Sequence, residues 1–555
     1  MRLVELRDLD GPNLFLAGPA IKLELALDLA PGMDRADTAA EAVAALAARF
    51  EPLGMTDDDR PEGEGEAGLG ALLADALAAI HERSGAPVPA TRWADLEAPG
   101  HRALAFGWEH RRFALAAGRL LAAAVVDEPG ARPDLRSAAA ALADLLATTE
   151  PDDAPLMVRD GERAKPIVAV TGTNGKTTTT RMIAHILTEA GMRPGWSSTA
   201  GVWVGGEEVL AGDYSGPAGA RRVLDDPAAD VAVVETARGG ILLRGLAFEH
   251  CDVAVFTNVS ADHLGLHGVH TIEELARVKS VVVRAVRANG WAVLNADDPL
   301  VRGAASATAA GRFWVTQNAA NPHVLADLAD GGRALLAKDG AIIEARGDEE
   351  HRLVALADVP ATFGGDARHM VENALCAAAA CLALGVAREA VAEGLRGFGR
   401  DPAHNPGRNE VLSVRGATVV IDYAHNEVGL AHLLRLARGF VAPDGRLLVI
   451  VGSAGDRADD AIRRLGEVAA EGADRVLVKE SARYLRGRGS PTEVTDLIEA
   501  GLRAATGAAV AAADHFPDQL AALDAALAAL RPGDALAIMS FEETDETRAR
   551  VLAAG

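Results

Sequence analysis

Apolar and polar residues alternate through RLVELRDL and then IKLELALDL, with Gly11, Pro12 and Asn13 between the two runs. A period of two predicts a pair of β-strands joined at a turn. Helical spacing takes over at roughly 36–50, 67–84, 108–125 and 134–147. DDDRPEGEGE (57–66) is acidic and glycine-rich and reads as an exposed loop, and TEPDDAP (149–155) reads as a linker. From Pro166 the texture changes. PIVAVTG, ADVAVVE (229–235), CDVAVFTN (251–258) and GWAVLNA (290–296) are short, continuous apolar runs separated by helical segments. Strands apolar on both faces need cover on both faces, which predicts a parallel sheet flanked by helices. Beyond GRDPAHNPGRNE (399–410) the same texture returns in ATVVIDYA, GRLLVIVGSAG, ADRVLVKE and DALAIMS. The expected fold class is therefore α/β: a small α+β domain over 1–160, a central α/β domain over 161–400 and a Rossmann-like α/β domain over 401–555.

Composition narrows the function. The chain has 555 residues, 49% of them hydrophobic, enough for several buried cores. Lys and Arg number 55 against 79 Asp and Glu, a formal charge of −24. A surface this acidic repels a polyphosphate chain, so general nucleic-acid binding is excluded as an expectation. The three cysteines, Cys251, Cys376 and Cys381, form no disulfide framework and read as small buried apolar residues. MRLVELRDLDGPN places charges where a signal peptide needs an apolar core, and no apolar run approaches the ~18 residues of a membrane span. A cytoplasmic protein with no membrane partner is expected.

The sharpest chemical signal is Thr171-Gly172-Thr173-Asn174-Gly175-Lys176-Thr177-Thr178, which follows a predicted strand and opens a predicted helix. Backbone N–H groups in such a turn, together with the partial positive charge of the helix start, bind phosphate. Gly172 and Gly175 permit backbone angles and close approach that a side chain would block. Lys176 neutralises outer phosphates and the Thr177 hydroxyl suits Mg²⁺. The spacing is shorter than the commonest phosphate loop, because Val170 stands where that form has its first glycine.

The loop TGTNGKTTT resembles that of the Mur ligases, the amide-forming enzymes of peptidoglycan assembly and their relatives. SGPAGARRVL (215–224), VVETARGGILLRGLAFEHCDVAVFTNVSADHLG (233–265) and VLNADDPLV (293–301) extend the resemblance, within that group, to the ligase half of cyanophycin synthetase. ETARGGIL is the most specific of these. The opening strands and HRRFALAAGRLLAAAV (110–125) resemble the first domain of the same enzymes. Those enzymes carry an ATP-grasp domain between the two parts. Nothing of that size fits between the first domain and the phosphate loop here, so the aspartate-adding activity is expected to be absent.

The resemblance implies a Mur-type central domain and Mur-type C-terminal domain, with ATP and Mg²⁺ as cofactors. Glu235, at the carboxyl end of ADVAVVE, faces the ligand crevice of a parallel sheet. The resemblance makes it a Mg²⁺ ligand, which its hard oxygens suit. Asn258, Asp262 and His263 follow the next strand; the resemblance gives His263 to a second Mg²⁺, while Asp262 either joins the site or caps the following helix. Lys279 matches a lysine carbamylated in many Mur ligases. Asn373 matches the adenine-facing Asn of an HN-x-x-N pattern in which His369 is kept and Met370 replaces the first Asn. By the same resemblance Arg408 reaches phosphate, as a planar guanidinium can, and Asp422 touches nucleotide. Asp213, Ser215, Arg238, His425, Asp456 and Arg457 are candidates for the substrates. Arg111, Arg112 and Arg119 form either a basic patch for an acidic polymer or a solvated helix face.

The function expected is ATP-dependent joining of a carboxylate to an amine through an acyl phosphate, with an amino acid or related amine added to a peptide or acidic acceptor. A homo-oligomer is expected by resemblance. A nucleotide-binding regulator without turnover and a P-loop kinase or NTPase are the alternatives.

Overall fold

The computed structural model describes residues 1–27, 35–55, 65–96, 100–126, 133–147, 153–262, 264–506 and 514–555. Most of DDDRPEGEGE, the first half of TEPDDAP, and His263 lie outside the described residues.

Three sheets organise the described residues. The first is antiparallel throughout, in the order Arg2–Leu9, Ala20–Ala26, His101–Gly107, Thr91–Asp95. Its inward residues Ile21, Leu23, Leu25, Leu104 and Phe106 pack against helices Arg35–Phe50, Gly65–Arg83 and Arg111–Val125. The segment expected as one helix over 134–147 is two, Leu135–Ala141 and Ala143–Ala147. The Gly11–Asn13 turn also differs from expectation. It belongs to a longer loop, and that loop docks on the central sheet's domain: Asp10 N–H donates to Arg244 O (2.6 Å) and Leu246 N–H to Pro12 O (2.9 Å). A Cβ on Gly11 would lie 2.0 Å from Leu246 O, so glycine is required there for contact between domains.

The second sheet has eleven strands, ordered 349–355, 341–346, 333–338, 311–316, 286–295, 251–256, 167–171, 231–235, 194–198, 201–204, 207–210. The strands from 333–338 to 194–198 run parallel, as expected; antiparallel hairpins extend both edges. Ile167–Thr171 lies between Cys251–Phe256 and Val231–Glu235, where the strand order reverses direction. A crevice opens at the carboxyl ends of the strands at such a point. Val168 and Val170 face a core built by helices Lys176–Glu189 and Arg368–Ala383, and Ile167 and Ala169 face Ile272–Arg284. Four consecutive buried alanines, Ala377 to Ala380, let the long helix Arg368–Ala383 lie close to the strands.

The third sheet is ordered 410–414, 417–422, 535–539, 447–451, 475–479, 514–516, parallel except for its first strand. Phe363 of the central part packs edge-on against Phe440 of the third (5.9 Å), so the two α/β units share apolar contact. The expected α/β class, with its small α+β beginning, is what is observed. Among the described residues no helix is long and apolar enough to cross a membrane.

Candidate functional site

The phosphate loop runs from the end of Ile167–Thr171 into helix Lys176–Glu189. Gly175 caps that helix with a left-handed φ of 86°, and a Cβ there would fall 2.2 Å from Asn373 Oδ1. Gly172 has φ 148°, and a Cβ on it would fall 1.9 Å from Thr257 Oγ1. Gly175→Ala is therefore expected to cost about 1–2 kcal/mol of stability from the backbone alone, and more from the clash. Thermal melting together with nucleotide binding measures it; a variant that melts and binds like the parent would contradict this geometry.

Two cavities adjoin at the loop. The first, about 410 Å³, is lined by Thr173 to Thr178, Glu235 and Lys279, and by residues of both α/β units. The second, about 330 Å³, lies between helix Arg368–Ala383 and the start of helix Glu427–Arg438.

Glu235 ends its strand almost fully buried, at 1% exposure. Its Oε2 accepts from the Thr177 hydroxyl (2.8 Å) and from Thr199 N–H (3.4 Å), and the two threonine hydroxyls are 3.1 Å apart. Among the described residues its Oε1 has no hydrogen-bond partner, and it lies 4.0 Å from Lys176 Nζ. A buried carboxylate oxygen left in that state calls for a cation. One carboxylate and two hydroxyls are the hard-oxygen donors that Mg²⁺ prefers, so the residues fit that ion. Lys176 Nζ donates to Thr173 O (2.9 Å), which folds it over the loop.

Lys279 is not a surface residue. It is 3% exposed, lines the first cavity, and donates to Gly172 O (2.6 Å). Burial first, and then the neighbouring Lys176 cation, hold its ammonium well below the usual lysine range. Gly172 itself lies behind the loop and serves the site through this carbonyl.

The third sheet's unit reaches across the cavity. Arg457 pairs with Asp262 (2.7 Å), and His425 Nε2 stands 3.7 Å from the same carboxylate. Asn426 caps its helix and donates to Asn174 Oδ1 (3.1 Å). Asp456 pairs with Arg486 (2.7 Å). The Arg408 guanidinium stacks on Tyr423 (4.0 Å), and Tyr484 and Phe541 complete this wall. Asp422 accepts from Asn409 N–H (2.8 Å), and burial pushes its carboxyl up. From the central part, Ser215 donates to Asp213 (2.7 Å) and Arg238 to Leu266 O (3.2 Å), all four lining the first cavity.

Asn373 lines the second cavity, yet its Oδ1 accepts from the Thr179 hydroxyl (3.3 Å) and its Nδ2 faces Met370 Sδ (3.7 Å). It is 3% exposed and packs against the loop. Arg111 forms no open basic patch: it pairs with Asp8 (3.0 Å) and with buried Asp10, whereas Arg112 and Arg119 are exposed on their helix.

The structure thus gathers every described candidate from Thr173 to Arg457 around two joined cavities. Sequence reading missed Thr199, because PGWSS is too polar and small to announce a strand. It missed Arg181, which leaves the loop helix to bond Asn405 Oδ1 (3.1 Å), while Asn405 Nδ2 reaches Thr178 (3.4 Å). NPGRNE marked that segment, but nothing local names its partner. Tyr484, Arg486 and Phe541 gave no signal.

Residues 170–381 match the Mur ligase middle domain, and residues 407–540 match the glutamate ligase domain of Mur ligases. The chain is 41% identical over 368 residues to cyanophycin synthetase of Crocosphaera subtropica, a match covering 66% of this chain and 40% of that enzyme. The aligned stretch is thus well under half of the cyanophycin synthetase it matches. It is 30% identical over 404 residues to UDP-N-acetylmuramoyl-L-alanyl-D-glutamate–2,6-diaminopimelate ligase of Chlorobium phaeobacteroides, covering 69% of this chain and 72% of that one. Among solved structures, E. coli FolC in complex with DHPP and ADP shares the fold, with a TM-score of 0.52 at 21% identity over 70% of this chain and 89% of that one. With a phosphate loop at the reversal point of the central sheet, a second α/β unit closing over it and a relative of this identity covered over most of its length, the chain belongs to the Mur ligase family.

Proposed function

We propose that this protein is an ADP-forming ligase that activates a carboxylate as an acyl phosphate and joins it to an amine, with ATP held on Gly172–Thr178. The observation that carries the reading is the buried Glu235 Oε1, without a hydrogen-bond partner among the described residues, beside Lys176 and Thr177 at a cavity walled by both α/β units. The reading divides the chain at about residues 160 and 400, the first part holding to the second through the loop at Gly11.

Thr177, Glu235 and Thr199 would hold one Mg²⁺, and by resemblance His263 would help hold a second. Such ions would supply charge neutralisation along the phosphates. Lys176 and the loop N–H groups bind and orient the terminal phosphoryl, where catalysis is mainly positioning and electrostatics. The acceptor's carboxylate enters past Arg238 and Lys279 and takes that phosphoryl. The amine enters between the loop and the wall of Arg408, Tyr484, Arg486 and Phe541, attacks the acyl carbon, and phosphate leaves. Asp213, Ser215 and Asp456 are placed to hold donors of either substrate. An acyl phosphate hydrolyses readily, so the contacts of Arg457 and Asn426 across the cavity shelter it from water. The amine is an amino acid or related compound, and the acceptor a peptide or acidic chain, as the cyanophycin synthetase likeness favours.

ADP release across a panel of amino acids and short acidic peptides, with mass spectrometry of the products, tests this. Release that needs both an acid and an amine, with a product heavier by the condensed amine, is expected. Release without amine would make the protein a kinase or NTPase, and tight ATP binding with no release a regulator.

Arg457→Ala removes the cross-domain pair with Asp262. It is expected to lower turnover about 10-fold, the order of a partly buried charged pair, while ATP affinity changes little. Small-angle scattering with nucleotide present should show a more open particle; an unchanged scattering profile with unchanged turnover would remove the closure role.

A further inference from the structure

Helix Arg368–Ala383 brings Glu372 to the second cavity, next to Asn373. Glu372 Oε1 accepts a hydrogen bond from Asn258 Nδ2 (2.7 Å). The same side-chain amide brackets the Asn174 peptide at the apex of the phosphate loop: its Oδ1 accepts from Asn174 N–H (2.9 Å) and its Nδ2 donates to Asn174 O (3.2 Å). Asn258 O also accepts from Thr173 N–H (2.8 Å). An asparagine amide can turn over, exchanging oxygen for NH₂. Turned over here, it would set NH₂ against the Asn174 N–H and set oxygen against both the Asn174 carbonyl and Glu372. The loop peptide offers two of the three contacts that choose the working orientation, and an ionised carboxylate, which only accepts, offers the third.

We infer that Glu372 is a positioning residue for nucleotide binding, its carboxylate locking the Asn258 amide in the orientation that shapes the phosphate loop. The inference rests on the reading that this loop binds ATP. Nothing in the local sequence announces Glu372, since it stands between the two members of the adenine pattern.

The lock is sensitive to protons near neutrality. Enclosure, reinforced by Asp297 and Asp298 beyond the end of the neighbouring strand, pushes the Glu372 acid up to about 7, against hydrogen bonds from Asn258 and Asn295. Cys376 lies one turn along its own helix, with its thiol pushed well up by burial. Across the cavity stand Arg408, Asp422, His425 and His432, and His432 stacks on His369 of the same helix as Glu372; burial holds the imidazoles of His369 and His432 down at about 4, so both are neutral through this range. The sign follows. Above about pH 7 the group is a carboxylate and the lock is made; as pH falls toward 6 it gains an O–H, loses its acceptor-only character, and the lock weakens.

Calorimetric titration of the full chain with Mg²⁺ and a non-hydrolysable β,γ-imido ATP analogue, between pH 6 and pH 8, tests this. The parent protein is expected to bind about 5- to 10-fold more weakly at pH 6 than at pH 8, beyond the slope the analogue's own phosphate contributes, as loss of a charge-assisted hydrogen bond implies. Glu372→Gln keeps the shape but cannot ionise. It should bind weakly at both pH values with only the analogue's slope and an unchanged melting temperature, and Glu372→Asp should restore part of the pH dependence. In an Asn258→Ala background Glu372→Gln should have no further effect, because the relay is already cut. A Glu372→Gln protein that binds as tightly as the parent at pH 8, or keeps the parent's full slope, overturns the inference. A parent protein that does not bind the analogue at any pH overturns the ATP reading beneath it.

Discussion

Lys176→Met is expected to lower ADP release about 10³-fold or more, the scale of removing a charged group aimed at a transferring phosphoryl. Methionine keeps most of the aliphatic stem, and among the described residues Lys176 hydrogen-bonds Thr173 O at the loop it serves. The fold should not suffer, because the side chain lines the cavity and packs in none of the hydrophobic cores. What is lost is the cation 4.0 Å from Glu235, the charge that lets a buried carboxylate and a polyphosphate share one cavity. Steady-state ADP release with the identified acid and amine, alongside a melting curve, measures it. Retention of more than about a tenth of parental turnover, far above the loss such a charge implies, would mean that Lys176 does not face the reacting phosphoryl.

The parts of the site carried by continuous chain were legible before the structure. A strand of apolar residues, a glycine turn, lysine, threonine and a helix lie within one segment, and local geometry fixes their meaning. Glu235 was legible for a related reason: a carboxylate closing an otherwise apolar strand has few places to go but the crevice. Lys279 shows the limit. Its spacing within Ile272–Arg284 marks a helix, with a capping box at Thr271 and Glu274, but only the three-dimensional packing buries it behind the loop. The edge hairpins 201–210 and 333–355 escaped notice because edge strands carry charge and glycine in place of unbroken apolar runs. The wall of Tyr484, Arg486 and Phe541 and the contact of Arg181 with Asn405 join residues far apart in sequence, and no periodicity encodes such meetings.

Lys279→Ala is expected to lower turnover about 10²-fold or more, as for loss of an oriented charge in an active site, with partial recovery when formate or acetate is added. The case starts from burial. An ammonium at 3% exposure beside the cations Lys176 and Arg238 is disfavoured, and the carboxylates of Asp262 and Glu235 offset this only in part, so the amine is held neutral at lower pH than an ordinary lysine. A neutral amine adds to CO₂, releases a proton and becomes a carbamate. The neighbours that oppose the ammonium then favour the anion, and the site gains a carboxylate close to Lys176. A small acid diffusing into the space left by alanine restores that charge, whereas a lysine serving only to brace Gly172 O would leave nothing for acetate to rescue. ADP release by the parent should rise with added bicarbonate, and more readily at higher pH, where the neutral amine is more abundant; the variant should not respond. ¹³C-bicarbonate labelling read by NMR should show a carbamate carbon in the parent alone. Full turnover by Lys279→Ala, or an inactive variant deaf to acetate together with a parent lacking the carbamate signal, would reduce Lys279 to a strut beneath the loop.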